Sequence, residues 1–155
     1  MCDYSLMGVP NRLAKDGEEL VLFDFPTRTK GFASPKDIAS SSFGGRGAGI
    51  WASLKKLFTN SDLDSVCAVC IAPGSRLMLL DLPVDFQTSV RVERAEEVVF
   101  TQLTSATNVH RDAVRFRNGF ELSLQRLPDG QRARVISLEP NWEPTPVEEI
   151  PVHLR

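Results

Sequence analysis

Tight-turn signals cut residues 65–138 into short runs that alternate apolar and polar side chains, and this narrows the fold more than any other feature. Asn118-Gly119 lies between two such runs, Pro73-Gly74 splits an earlier pair, and Pro128-Asp129-Gly130 marks a later turn. Residues of these types take up the positive φ and fixed φ that hairpin turns demand, so the runs they separate pair as neighbouring antiparallel strands. The expected strands are 65–72, 75–82, 96–103, 110–117, 120–126 and 131–138, preceded by 19–25, where Val21, Phe23 and Phe25 share a face and Pro26 ends the run. Short strands with tight turns imply a mainly β fold, a small antiparallel β-barrel or sandwich of six to seven strands.

One helix is expected at 49–58, where Ile50, Leu54, Leu57 and Phe58 recur at helical spacing and Asn60 follows. A shorter helical turn near Asp85 fits within 82–90. Gly, Ser and Pro punctuate 31–48, which reads as a long loop with its Gly/Ser-rich part at 39–49. Residues 139–155 hold four prolines and four glutamates against one arginine and read as an extended C-terminal tail. The rest, residues 1–138, forms a single β-rich domain, in keeping with a length of 155 residues.

Eighteen Lys and Arg stand against twenty Asp and Glu, a formal charge of −2, so no whole-molecule positive field draws the chain onto nucleic acid or anionic lipid. The longest apolar runs, 66–72 and 77–80, fall far short of the ~20 residues that cross a bilayer. The first residues lack the basic, apolar and small-residue segments of a secretory signal. A cytoplasmic location is expected, with no membrane contact, and the three cysteines are expected as thiols because the count is odd.

The most chemically suggestive residue is Cys2, behind the initiator methionine. Bacterial and organellar trimming removes Met1 when the next side chain is small, leaving a thiol and a free α-amine on adjacent carbons. Their ordinary pKa values lie near ~8.5 and ~8. Such a terminus can attack an acyl group with its own amine as base, or hold a soft metal in a sulfur–nitrogen chelate.

Cys67-Ala68-Val69-Cys70 has CxxC spacing, but the β-favouring run around it points residues three apart to opposite faces. The two sulfurs are therefore not expected to meet. Cys67 shares its face with Val69 and Ile71, as a small core residue, and Cys70 lies on the roomier face with Val66 and Ala68. In 110–117 the even positions are His110, Asp112, Val114 and Phe116, and the odd positions Arg111, Arg115 and Arg117 are basic, so the even face is expected inward. A buried imidazole and carboxylate must be paired or coordinated. Either they form a structural His–Asp pair, or His110 is a metal ligand or general base oriented by Asp112.

Cys2, Cys70 and His110 together make a candidate set of two sulfurs and one nitrogen, suited to iron, copper, nickel or zinc. Tyr4, the only tyrosine, lies two residues from Cys2 and is a candidate hydrogen-bond donor or one-electron partner. The Cys2-Asp3 start resembles the nickel superoxide dismutase hook, in which the terminal amine and cysteine thiolates bind the metal. Class II glutamine amidotransferases and the SRAP proteins that trap abasic DNA open with Met-Cys-Gly, which resembles this start, although Asp3 replaces the glycine. The opening Met-Cys-Asp-Tyr-Ser also resembles that of small bacterial proteins.

Gly44 to Gly49 lacks the Lys-Ser/Thr of a phosphate loop and reads as a lid or linker. Arg111, Arg115, Arg117, Arg132 and Arg134 form a candidate basic face, with too few aromatic neighbours for stacking on bases, so nucleic acid is not the expected partner. The expectation is thus a metal-binding, redox or oxygen-related enzyme, an oxidoreductase acting on a small molecule. Its catalytic residues would be Cys2, Tyr4, His110 and Asp112, and its metal ligands Cys2, Cys70 and His110. The alternatives are a metal-free N-terminal cysteine nucleophile and a non-catalytic small-barrel binding module.

Overall fold

The computed structural model describes residue 6, residues 8–41 and residues 66–140. The helix expected at 49–58, most of the Gly/Ser-rich loop and nearly all of the tail lie outside them.

Among the described residues nine strands form one open, mixed sheet: β1 (Asn11–Leu13), β2 (Glu19–Asp24), β3 (Lys30–Ala33), β4 (Ala68–Cys70), β5 (Arg76–Leu80), β6 (Glu96–Gln102), β7 (Asp112–Phe116), β8 (Glu121–Ser123) and β9 (Arg132–Ser137). Their order is β1-β4-β3-β2-β9-β5-β6-β7-β8. All neighbours are antiparallel except β1 and β4, which run parallel with Leu13 opposite Cys70. The expected barrel is therefore not closed: among the described residues β1 and β8 are the ends of the ladder. All seven expected strands occur, each trimmed at its ends or coincident with the expected run, and β1 and β3 are additional.

The turns behave as their residues require. Gly119, at φ +83°, donates its N–H to Phe116 O at 3.0 Å, and Asn118 Oδ1 accepts from Phe120 N at 3.0 Å. Gly74, at φ +94°, donates to Phe100 O, and Phe100 N donates back to Ser75 O, so this turn is stitched to β6. Helix α1 (Pro35–Ser41) occupies part of the stretch expected as loop. Helix α2 (Val84–Val90) realises the expected helical turn, ending at Arg91 in the left-handed region. There Asn118 Nδ2 donates to Val90 O at 2.9 Å and ties the hairpin to the helix end.

Alternation sorts side chains into two cores. Along β5, Leu77 and Leu79 are fully buried while Arg76, Met78 and Leu80 are not. Burying each such leucine contributes about 2 kcal/mol. The main core draws on most of the strands, with Leu22, Phe32, Ile71, Phe100, Val114 and Val135 among its members. β2, β3 and β4 are covered on their second face as well, where Val21, Phe25, Ala33 and Ala68 meet Leu6 and Ile38 of α1. Gly31 belongs there for a steric reason: a Cβ would lie 2.8 Å from Leu6 Cδ1 and 3.3 Å from Phe25 Cε2.

The sheet curls far enough for a 3-10 turn after β8, Leu124–Arg126, to reach β3. Gln125 Oε1 accepts from Lys30 N at 3.0 Å and Gln125 Nε2 donates to Lys30 O at 3.1 Å, so one side-chain amide imitates a strand neighbour. Lys30 Nζ adds a hydrogen bond to Leu127 O at 3.1 Å and an ion pair with Asp129 at 2.7 Å.

Candidate functional site

β4 is the element on which the cysteines converge. It is only three residues long, yet every residue in it is buried, because β1 and β3 flank it and both cores press on it. Cys70 closes the strand at 7% exposure and is disulfide-bonded. This corrects the expectation that all three cysteines are thiols, and it removes Cys70 as a ready thiolate ligand. Cys67 is a free thiol, so the two sulfurs of the CxxC spacing are not joined to each other, in line with strand alternation.

The expected burial of the two is reversed. Cys67 precedes the strand and is only partly buried. Burial pushes its thiol up from the ordinary value, the Asp37 carboxylate adds to the rise, and the Arg12 guanidinium opposes it. At neutral pH Cys67 is therefore held as the thiol, a poor nucleophile. Arg12 is itself engaged by Glu18 through two hydrogen bonds, one of them Nη1 to Oε2 at 3.1 Å, and this lowers the Glu18 carboxyl below its usual range.

His110 and Asp112 part company. Asp112 begins β7, is buried at 6% exposure, and accepts from Gln102 Nε2 at 3.2 Å across the ladder where the two residues face each other. His110 is exposed, in the connection before the strand, so the inward placement expected for it is overturned. Alternation holds only within the extended segment, and the bond from Leu103 N to Arg111 O marks its limit. In the sheet, β3, β2, β9, β5 and β6 stand between the strand carrying Cys70 and the one His110 leads into. Cys2, Tyr4 and the Gly44–Gly49 segment lie outside the described residues. Among the described residues, no three His, Cys, Asp or Glu side chains are grouped to hold a metal ion, and no helix is long and apolar enough to cross a membrane.

The arginine face is charge-compensated. Arg134 pairs with Glu19 at 2.7 Å, Arg132 with Asp81 at 3.1 Å, and Asp81 also takes Arg94 at 2.8 Å. Arg115 pairs with Glu121 at 2.7 Å, and Arg117 lies 3.9 Å from Glu97. Two of these are cross-strand pairs set by register, Glu19 opposite Arg134 and Arg115 opposite Glu121. Each is exposed and contributes little to stability, and together they replace a positive stripe with alternating charge.

Nothing in the sequence marks Arg12 and Asp37 as neighbours of Cys67, since that meeting depends on the parallel β1–β4 pairing and on α1. No family model, curated protein or solved structure matches the chain.

Proposed function

We propose that the protein works as an N-terminal cysteine nucleophile at Cys2 whose sulfur is masked when it is joined to Cys70. One observation carries this. Of the two described cysteines, Cys67 is free and Cys70 is disulfide-bonded, and we take the remaining cysteine of the sequence, Cys2, as the proposed partner sulfur. In the oxidised form the terminal sulfur is masked. In the reduced form, after Met1 removal, Cys2 carries a thiol beside its own α-amine, and its sulfur attacks an electrophilic carbon such as an acyl group of a small molecule. The thiol proton passes to the amine and then to the leaving group, and water hydrolyses the resulting thioester to regenerate the thiol. Cys67, its thiol pKa raised, stands aside.

A second reading follows from the same pair. Were Cys2 and Cys70 linked as proposed, the two sulfurs once reduced would be near enough to share iron, copper, nickel or zinc. His110 is left out of that set because it is exposed and leads into a strand separated from β4 by five others in the ladder.

Limiting iodoacetamide tests the first reading. Without reductant only Cys67 should label, and slowly; after reduction the peptide bearing Cys2 should label first. Rapid labelling of Cys2 before reduction, or equal slow labelling of all three afterwards, contradicts it. Elemental analysis of reduced protein incubated with each metal tests the second, and no uptake rejects it.

A further inference from the structure

We propose that Asn118 is a deamidation site that the fold holds shut, and that its conversion to an acid releases helix α2 from the β7–β8 hairpin; neither step involves the cysteines. Asparagine followed by glycine is open to this reaction because a residue without Cβ leaves its backbone nitrogen unobstructed beside the preceding side chain. Here the pair is exposed at the hairpin tip, yet each reacting group is engaged. Gly119 N donates to Phe116 O at 3.0 Å. Asn118 Oδ1 accepts from Phe120 N at 3.0 Å, while Nδ2 donates to Val90 O at 2.9 Å and reaches Arg91 O at 3.5 Å. These partners fix which end of the amide is which, since two carbonyl oxygens need a donor and an N–H needs an acceptor.

Reaction requires the tip to open locally. Gly119 N then bonds to Asn118 Cγ and the Cγ–Nδ2 bond breaks, the proton of Gly119 passing by way of water to the departing nitrogen, which leaves as ammonia. Water opens the resulting five-membered imide at either carbonyl, giving an aspartate or an isoaspartate at position 118. One water is consumed and one ammonia released, and nothing is oxidised or reduced. The product sets a carboxylate oxygen against Val90 O and Arg91 O, so a donor facing two acceptors becomes a third acceptor. Helix α2 is poorly built to absorb that loss, since none of its seven residues is buried. Phe86 and Val90 pack only partly buried against the main core, with the Phe86 ring 6.1 Å from that of Phe116. Without the Asn118 bond the C-terminal end of α2 is free to lift and uncover Phe116, which Phe120 flanks at 6.3 Å on the hairpin side.

Folded protein and protein unfolded in urea, held at one mildly alkaline pH, are followed by mass spectrometry of acidic peptic digests. Conversion at position 118 should run roughly tenfold or more faster in urea; equal rates, or no conversion in either, overturn the gated site. Asn118→Asp tests the release. At neutral pH its Arg91 and Val92 amides, both bonded to Gln87 O, should exchange roughly fivefold faster than in the unaltered protein, while Phe100 and Val135 keep their protection. As the pH falls below the ordinary carboxylate range the protonated acid can donate to Val90 O again, so the urea midpoints of the two proteins should converge. Asn118→Ala has no donor to regain and should keep its distance from the unaltered protein at both pH values. Unchanged exchange in Asn118→Asp, exchange raised equally at Phe100 and Val135, or a midpoint gap indifferent to pH overturns the release.

Discussion

Replacing Gln125 by methionine keeps the length of the side chain and removes both of its contacts with Lys30. The amide accepts from Lys30 N at 3.0 Å and donates to Lys30 O at 3.1 Å. Both groups lie on the side of β3 that the 3-10 turn covers, and they lose their protein partner together. A net hydrogen bond is worth about 1 kcal/mol, and a partly buried orphan adds to the loss, so the variant should be about 2–3 kcal/mol less stable. With a urea dependence near 2 kcal/mol per molar for a chain of this size, the unfolding midpoint should fall by about 1 M at unchanged slope. Gln125→Glu keeps an acceptor for Lys30 N but turns an oxygen toward Lys30 O, so it should not restore the midpoint. A shift below about 0.3 M for the methionine variant would refute the idea that this amide stands in for a missing strand neighbour.

Three further outcomes follow from particular contacts. The carboxyl of Glu18 is depressed first by its hydrogen bond from Arg12 and then by Lys15 N–H, against the opposing effect of burial. Its contribution is complete above the ordinary carboxylate value and is lost as the pH falls through the lowered folded one, so Glu18→Gln should flatten the acid limb of stability against pH; equal acid limbs would contradict this. The proposed Cys2–Cys70 link would close a ring of about 70 residues and restrict the unfolded chain by about 4 kcal/mol, so dithiothreitol should lower the urea midpoint by up to about 2 M, and an unmoved midpoint in a protein shown to be linked would count against that restriction. Gly31→Ala should cost about 1–3 kcal/mol by driving a methyl into Leu6 and Phe25, and a neutral effect would mean that Leu6 yields freely.

The strands bounded by Asn118-Gly119 and Pro128-Asp129-Gly130 were legible because turn chemistry and alternation are local properties. β3 was hidden because Lys-Gly-Phe-Ala contains a glycine that punctuates a sequence but here admits Leu6 and Phe25. β1 was hidden because nothing in Asn-Arg-Leu marks a strand until β4 lies beside it. Closure failed as an expectation because seven alternating runs say nothing of which edges meet, and the ladder leaves β1 and β8 as ends. At the site, alternation separated Cys67 from Cys70 correctly. It was extended two residues too far at His110, which precedes the strand. A reducing compartment and an odd count together point to three thiols, but one bonded cysteine and one free one fit the same count.

Non-reducing proteolysis with mass spectrometry of the covalently joined peptides tests the Cys2–Cys70 pairing most directly. The expected product joins the N-terminal peptide, without Met1, to the peptide that spans β4, disappears on reduction, and leaves Cys67 carrying any alkylating label applied beforehand. Recovery of all three cysteines alkylated without reductant, or of a crosslink through Cys67, would contradict the pairing and the chemistry built on it.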